Sequence, residues 1–336
     1  MNHIRSRRMR IVGSIGLPNW DLPTCLALKH EIPVDLVVAQ HATTESELRV
    51  RAETYLGCAL PDTWRFFGPE ADRKVSKPKQ LWLMRDDQVV EMADVLIPVS
   101  VRPKGKMHSM VEATGNESRI ERSFEVAYQR RAEKLAYHIS SEHLNPDLRE
   151  LHREYLVHYT RGCSGPWPDE TIVDYYSAIV TSDAYPRNAP ATLTHIARTG
   201  KIIGSSRHMP ENLPCVSFTA LPVSEALSLM RWRARYRQMS LEPYGVAVRR
   251  SAAERLGLRP VVYYDSTQTK PESRDIWRWQ STGVKTDWRA EQEWRVIGDV
   301  CLREIPANCI ALLCHTPAEA RLVEEVTGYK TFPVVV

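Results

Sequence analysis

The sequence predicts two domains of different class, an α/β unit over residues 1–143 and an α+β unit over residues 144–336. Three observations predict this. The chain has 336 residues, more than one ordinary domain of about 150 residues needs. Its first part alternates strand-like and helix-like segments, and beyond Asn145 and Pro146 that alternation stops. The content, 43% apolar and 26% charged, is that of a folded globular chain rather than a disordered one.

Taken in order, residues 10–15 read as a strand, 22–29 as a short helix and 34–39 as a β-branched strand. Residues 44–55 have helical character behind a polar opening, 64–67 suit a third strand and 79–92 a helix. The apolar run 94–100 suits a strand buried on both faces of a parallel sheet. Ile120, Phe124, Ala127, Arg131 and Leu135 fall at helical spacing, so a long helix is expected to close the unit. This order is that of a doubly wound α/β domain. In the second part, strands are expected at 156–160, 215–219, 245–248, 260–264, 293–297 and 307–314, with helices near 191–198, 224–237 and 318–325. Strands outnumber helices without regular alternation, which is α+β order. The loop 162–168 is rich in Pro and Gly but carries Trp167, too aromatic for a plain linker and typical of loops at sites.

Several classes are excluded. No apolar run approaches the roughly 18 residues of a membrane span, so no membrane partner is expected. The basic start, with Arg5, Arg7, Arg8 and Arg10, runs quickly into Gly13, Gly16 and Pro18, a strand entering a turn rather than a cleavable signal. Seven cysteines without a C-x-x-C pair point to the reducing cytoplasm. The net charge of +4 permits a nucleic-acid partner without demanding one.

The strongest local feature is Glu291 and Glu293. On a strand they share one face, and neighbouring like charges raise one pKa, leaving the pair suited to divided labour. The bland alternative is a solvated edge strand. His158, Tyr159 and Thr160 close an apolar strand, where a lone His is often structural. Ser217 and Thr219 share a face of a middle strand.

Together, His158-Tyr159-Thr160, Ser217-x-Thr219 and Glu291-x-Glu293, in that order on successive strands, resemble the ADP-ribosyltransferase superfamily over roughly residues 150–300. The segment is also similar to abortive-infection and phage-defence proteins thought to share that scaffold. The resemblance implies an ADP-ribosyltransferase-like fold with NAD as cofactor. His158 would grip the adenosine-side ribose, with Tyr159 and Thr160 beside it in the cofactor pocket. Ser217 and Thr219 would brace the nicotinamide end, Glu293 would be the catalytic residue that polarises the ribose, and Glu291 would orient the acceptor. Cleaving the nicotinamide–ribose bond builds positive charge on the sugar, which a fixed carboxylate stabilises where water is excluded. A second carboxylate beside it should then carry the raised pKa.

Arg231, Trp232, Arg233, Arg235, Tyr236 and Arg237 interleave arginine with aromatic rings, the composition used for phosphate backbones and stacked bases. On a strand the arginines would line one face; on a helix they would spread, and a solvated helix with snorkelling arginines is the bland reading. DNA or RNA is therefore a candidate partner. In the first half, Arg85-Asp86, then Ala93-Asp94 and Gly105, resemble a Rossmann-like nucleotide-binding group that includes lysine-decarboxylase-like and nucleotide-sensing proteins. The resemblance implies that Arg85 and Asp86 contact a nucleotide, with Lys104 and Lys106 near a phosphate. Cys309, Cys314 and His315 lie close in sequence but on a segment that reads as a buried strand, so no metal is expected.

The leading expectation is NAD-dependent ADP-ribosyl transfer to nucleic acid or protein, in a defence or toxin setting. One alternative is an NAD-independent enzyme that modifies nucleic-acid bases, for example in modified-guanine or deazaguanine DNA processing. Another is a catalytically silent nucleotide sensor.

Overall fold

The computed structural model describes residues 1–336 except 41–43, 69–77, 130–134, 152, 208, 235–236, 266–274 and 283–286. In the first part of the chain, β1 (Ile11–Ser14), β2 (Val34–Val37) and β3 (Arg65–Phe67) form a parallel sheet in that order. Helices α1 (Pro18–Lys29), α2 (Glu45–Leu56), α3 (Pro78–Met92) and α4 (Lys106–Ala113) follow or separate the strands. Local chemistry sets these bounds. Pro18 opens α1 where its missing N–H costs nothing. Thr44 caps α2 by accepting from the Glu47 N–H, and Gly57 ends it at φ 77°. The central strand β2 is buried along its whole length, with Val34, Leu36 and Val37 fully inaccessible. Asp35 on β2 is bridged by Arg10 at 2.6 Å and by Arg65 on β3.

The expected fourth strand at 94–100 does not form. Leu96 makes one isolated parallel bridge to Ile120, and Val99 is 55% exposed. Pro98 lies in the middle of this run and lacks the N–H that a ladder needs. The expected long helix is also absent across 120–129, the described part of its range. There the Glu121 and Val126 N–H groups donate to the Leu96 and Val99 carbonyls, so distant partners take the bonds a helix would have made locally. Three parallel strands, and not a completed doubly wound sheet, are what the described residues form.

The second part is built on a seven-stranded mixed sheet. Its strands are β4 (Tyr155–Tyr159), β5 (Cys215–Thr219), β6 (Gly245–Arg249), β7 (Arg259–Pro260), β8 (Glu293–Ile297), β9 (Ile310–Cys314) and β10 (Thr331–Pro333), in the spatial order β7-β8-β5-β4-β6-β9-β10. All neighbours are antiparallel except β9 and β10. Both faces are covered. Leu156, Val216, Val246 and Leu312 join one apolar cluster, Val157, Ala247, Ala311 and Leu313 the other. Cys314 is fully inaccessible in β9, and burial pushes its thiol up to about 12.

The units depart from a division at 143/144. One consists of Met1–Ala132 and Asp169–Tyr185, the other of Glu133–Pro168 and Pro186–Val336. Helix α5 (Ile172–Thr181) belongs to the first because Tyr175 and Tyr176 enter the cluster of Val34, Leu36 and Leu56. Residues around Tyr137 belong to the second, where its hydroxyl donates to Glu242 at 2.6 Å.

Candidate active site

The site begins where two neighbouring strands part. The β4–β5 ladder contains the single pair Val157–Thr219. Where the next pair would stand, the His158 ring enters instead: its Nδ1 lies 2.8 Å from the Ser217 carbonyl oxygen, and its ring is 5.6 Å from that of Phe218. A cavity of about 450 Å³ opens at this split, within the usual range for small-molecule sites. His158, Thr160, Ser217, Thr219, Glu291 and Glu293 are among its lining residues. On the other side of β4 the ladder to β6 is tight. A Cβ on Gly245 would lie 2.8 Å from the His158 carbonyl oxygen, so only glycine lets β6 hold β4 in place there.

Glu293 sits in a fixed frame. In the β8–β5 ladder, Glu293 stands opposite Thr219 and Arg295 opposite Ser217, which puts all four side chains on one face. Ser217 Oγ donates to Glu293 Oε1 at 2.6 Å. Arg295 clamps both carboxylate oxygens, Nε to Oε1 at 2.8 Å and Nη2 to Oε2 at 2.7 Å. The remaining Arg295 donors reach the Trp277 carbonyl and Gln280 Oε1. Among the described residues Oε1 thus accepts two hydrogen bonds and Oε2 one, which leaves Oε2 a lone pair for a further donor.

Glu291 reaches the same cavity by a different route from simple strand alternation. Residues Trp288–Glu291 form a tight turn, Gln292 adopts a left-handed φ of 43°, and the strand starts only at Glu293. A non-glycine residue in that region stores backbone strain, a feature that clusters at functional sites. Thr219 holds the turn: its hydroxyl donates to the Glu291 carbonyl at 2.6 Å and accepts from the Leu221 N–H. Burial pushes the Glu291 carboxyl above the usual glutamate range and the Glu293 charge adds to this, while Arg233, Arg295 and Arg231 pull it back. The second carboxylate is therefore the one with the raised pKa.

His158 is crowded by protein although part of its ring stays accessible. Burial lowers its pKa, Arg161 lowers it further, and the Ser217 carbonyl opposes both. With a carbonyl as partner, Nδ1 must donate, so the neutral ring keeps Nε2 as an acceptor. Thr160 is buried, and its hydroxyl approaches the Ala189 carbonyl at 3.5 Å. Tyr159 also lines the cavity. It packs against the cluster of Leu148 and Val157 and, among the described residues, buries its hydroxyl without a hydrogen-bond partner.

The arginine-aromatic stretch is a hairpin, not the end of a helix. The helix expected at 224–237 stops after Val223–Ala226 and one further turn, and Trp232–Arg233 then pairs antiparallel with Gln238–Met239. The Arg233 guanidinium lies 5.4 Å from the Trp288 ring centroid, and Arg231 and Arg233 both act on Glu291. Arg237 sits in the turn at φ 50°. Arg235 and Tyr236 lie outside the described residues.

Arg85 and Asp86 are not part of this site, and their expected contact with a nucleotide is corrected. Arg85 is fully inaccessible; it donates twice to Asp86 Oδ1, at 3.0 and 2.7 Å, and once to the Ile15 carbonyl at 3.2 Å. Trp20 Nε1 donates to the same Asp86 oxygen, and the turn after β1 is closed by Asp21, which accepts from the Gly16 N–H. Lys106 is likewise engaged, with Asp87 at 2.9 Å.

Several groups at the cavity were not foreseen. Arg295 was discoverable, since it follows Glu293 by two residues on a strand and must share its face. Arg161 and Arg207 also line the cavity, and no local pattern marks either. Trp167, from the aromatic loop, stacks on His195 at 4.0 Å with the Arg187 guanidinium 3.9 Å from its ring centroid, and donates to Thr192. Glu242, buried, accepts from Tyr137 and from the Gly162 N–H at 2.7 Å. Compared with family models, curated proteins and solved structures, the chain matches none of them.

Proposed function

We propose that the second unit is a glycosyl-transfer enzyme that cleaves the nicotinamide–ribose bond of NAD and passes ADP-ribose to an acceptor. The observation that supports this most is the meeting of His158, Ser217 and Glu293 at one cavity through direct hydrogen bonds. The open lone pair of Glu293 Oε2 suits a ribose hydroxyl donor, and the carboxylate then faces the positive charge that builds on the sugar. The Arg295 fork holds that carboxylate in one orientation, so little reorganisation is needed as charge develops. His158 Nε2 offers an acceptor to a second sugar hydroxyl. Glu291, with its raised pKa, suits proton transfer at the incoming acceptor.

The hairpin beside Glu291 favours DNA or RNA as the acceptor over protein, because Arg231 and Arg233 offer phosphate contacts next to the group that would handle the acceptor. The same hairpin supports a second reading, in which NAD is not used and Glu293 does acid–base work on a nucleic-acid base. Incubation of the full chain with labelled NAD, alone and with DNA, RNA or protein, separates the two. Released nicotinamide with label on nucleic acid is the expected result. Salt-sensitive nucleic-acid binding without nicotinamide release would contradict the first reading and support the second.

A further inference from the structure

Glu291 and Glu293 account for the acidic part of the cavity but leave its cationic part unexplained. Arg161 and Arg207 both line the cavity, and among the described residues neither guanidinium makes an ion pair or a hydrogen bond. Both side chains are solvent-exposed at the cavity, open to a ligand from solution. Desolvation lowers the Arg161 pKa and the charges of Arg207 and Arg233 lower it further, while Cys163 and Glu242 oppose them, so like charges are held near one another.

The backbone around Arg161 is fixed from both sides. The Thr160 N–H donates to the Tyr244 carbonyl at 2.9 Å, and the Gly162 N–H donates to the buried Glu242 carboxylate. Tyr137 fixes Glu242 in turn at 2.6 Å. The Cys163 N–H donates to the Arg187 carbonyl. A guanidinium presented from such a rigid stretch loses little freedom on binding, which is the arrangement that favours a tightly held anion.

We propose that Arg161 and Arg207 form a diphosphate subsite, so that the sugar donor is a diphosphate-linked nucleotide and not a free nucleoside or base. Guanidinium forks match phosphoryl oxygens in pairs, and two forks in one cavity match two linked phosphoryl groups. The sugar-facing groups, His158 Nε2 and Glu293 Oε2, line the same cavity, so one ligand can carry both the charge and the reacting sugar. A polymer backbone, by contrast, runs along an open groove. The identity of the donor rests on the glycosyl-transfer reading, whereas the anion subsite stands without it.

The test is calorimetric titration of the full chain with inorganic pyrophosphate at fixed ionic strength, with ADP-ribose and a single-stranded oligonucleotide as competitors. Wild type is expected to bind pyrophosphate, and ADP-ribose is expected to displace it. Arg161→Ala and Arg207→Ala should each weaken binding by about ten- to a hundredfold, as for loss of charge-assisted hydrogen bonds. Arg161→Lys should fall between, because it keeps charge but not the fork. No binding by wild type, or unchanged affinity in both alanine variants, overturns the subsite. Displacement by the oligonucleotide but not by ADP-ribose would move the phosphate to a nucleic acid and overturn the donor assignment. Circular dichroism checks folding, and Arg207→Ala carries the test if Arg161→Ala does not fold. Arginine-dependent pyrophosphate binding without nicotinamide release from NAD leaves the subsite standing and removes the glycosyl-transfer reading. Nicotinamide release with unaltered KM in both variants does the reverse.

Discussion

Arg85 in the first unit is buried whereas Arg161 in the second is exposed at the cavity, and they show opposite uses of a cation. Arg85 has partners for its donors in Asp86 and the Ile15 carbonyl, and its guanidinium lies 5.9 Å from the Trp20 ring centroid. Arg161 has a fixed backbone, like-charged neighbours and no ion pair among the described residues. The first arrangement is complete without a ligand and holds a fold together. The second leaves its guanidinium open to solvent, as the proposed anion subsite requires. A residue type that resembles a ligand contact in sequence is thus a poor guide until its bonds are counted.

The largest effects should separate these roles on stability. Arg85→Ala and Arg295→Ala each break a buried ion pair and strand a carboxylate, which costs about 3–5 kcal/mol. Urea unfolding checks both, and Arg85→Ala should leave pyrophosphate affinity unchanged. If it abolishes that affinity while the second unit stays folded, the contrast between the two arginines fails. Arg161→Ala should have the opposite sign from Arg85→Ala. Removing a charge that its surroundings disfavour leaves the melting temperature equal to or above that of wild type.

The smallest effect concerns pH. Glu291 has a raised pKa in the folded state, so its contribution to stability is fully present below the ordinary glutamate pKa and is lost as pH rises through the raised value. Glu291→Gln should therefore melt above wild type at neutral pH, and the difference should close as the solution is acidified. In turnover the same variant should lose the acidic limb of the pH profile. That limb should lie at higher pH again when Arg233 is replaced by Ala, because one of the charges lowering the Glu291 pKa is gone. An acidic limb that survives in Glu291→Gln assigns it to another group.

Much of this fold was legible because its signals are local. Strands β1, β2, β3, β5 and β8 and helices α1, α2, α3 and α6 (Pro317–Thr327) fall where β-branched runs, caps and helical periodicity put them. The failures have specific causes. The run at 94–100 is apolar enough for a strand, but Pro98 denies it a ladder bond. The spacing of Ile120, Phe124 and Ala127 is helical, but Glu121 and Val126 take partners far away in sequence. Tyr159 shares strand parity with Ser217, Thr219 and Glu293, whereas His158 reaches the cavity from the other parity, where the β4–β5 ladder ends.

At the site, Ser217, Thr219, Glu293 and His158 were legible as types and order but not as bonds. The join between β4 and β5 at a single residue pair is a long-range property that no local pattern encodes. Glu291 was identified for the wrong geometric reason. The left-handed Gln292, and not strand alternation, brings it to the cavity. Arg161 and Arg207 are brought to the cavity by separate segments of the second unit, so only the folded chain shows that they share a cavity.

The most direct measurement is the single-turnover rate of nicotinamide release from NAD by purified Glu293→Gln beside wild type, with equal circular dichroism. Gln keeps one oxygen to accept from Ser217 and Arg295 Nε, places an NH2 where Oε2 accepted from Arg295 Nη2, and removes the charge, so in the folded variant the rate should fall about a hundredfold or more, well beyond any loss of NAD affinity. A rate close to wild type in the folded variant would contradict the central claim that this carboxylate stabilises the opening sugar.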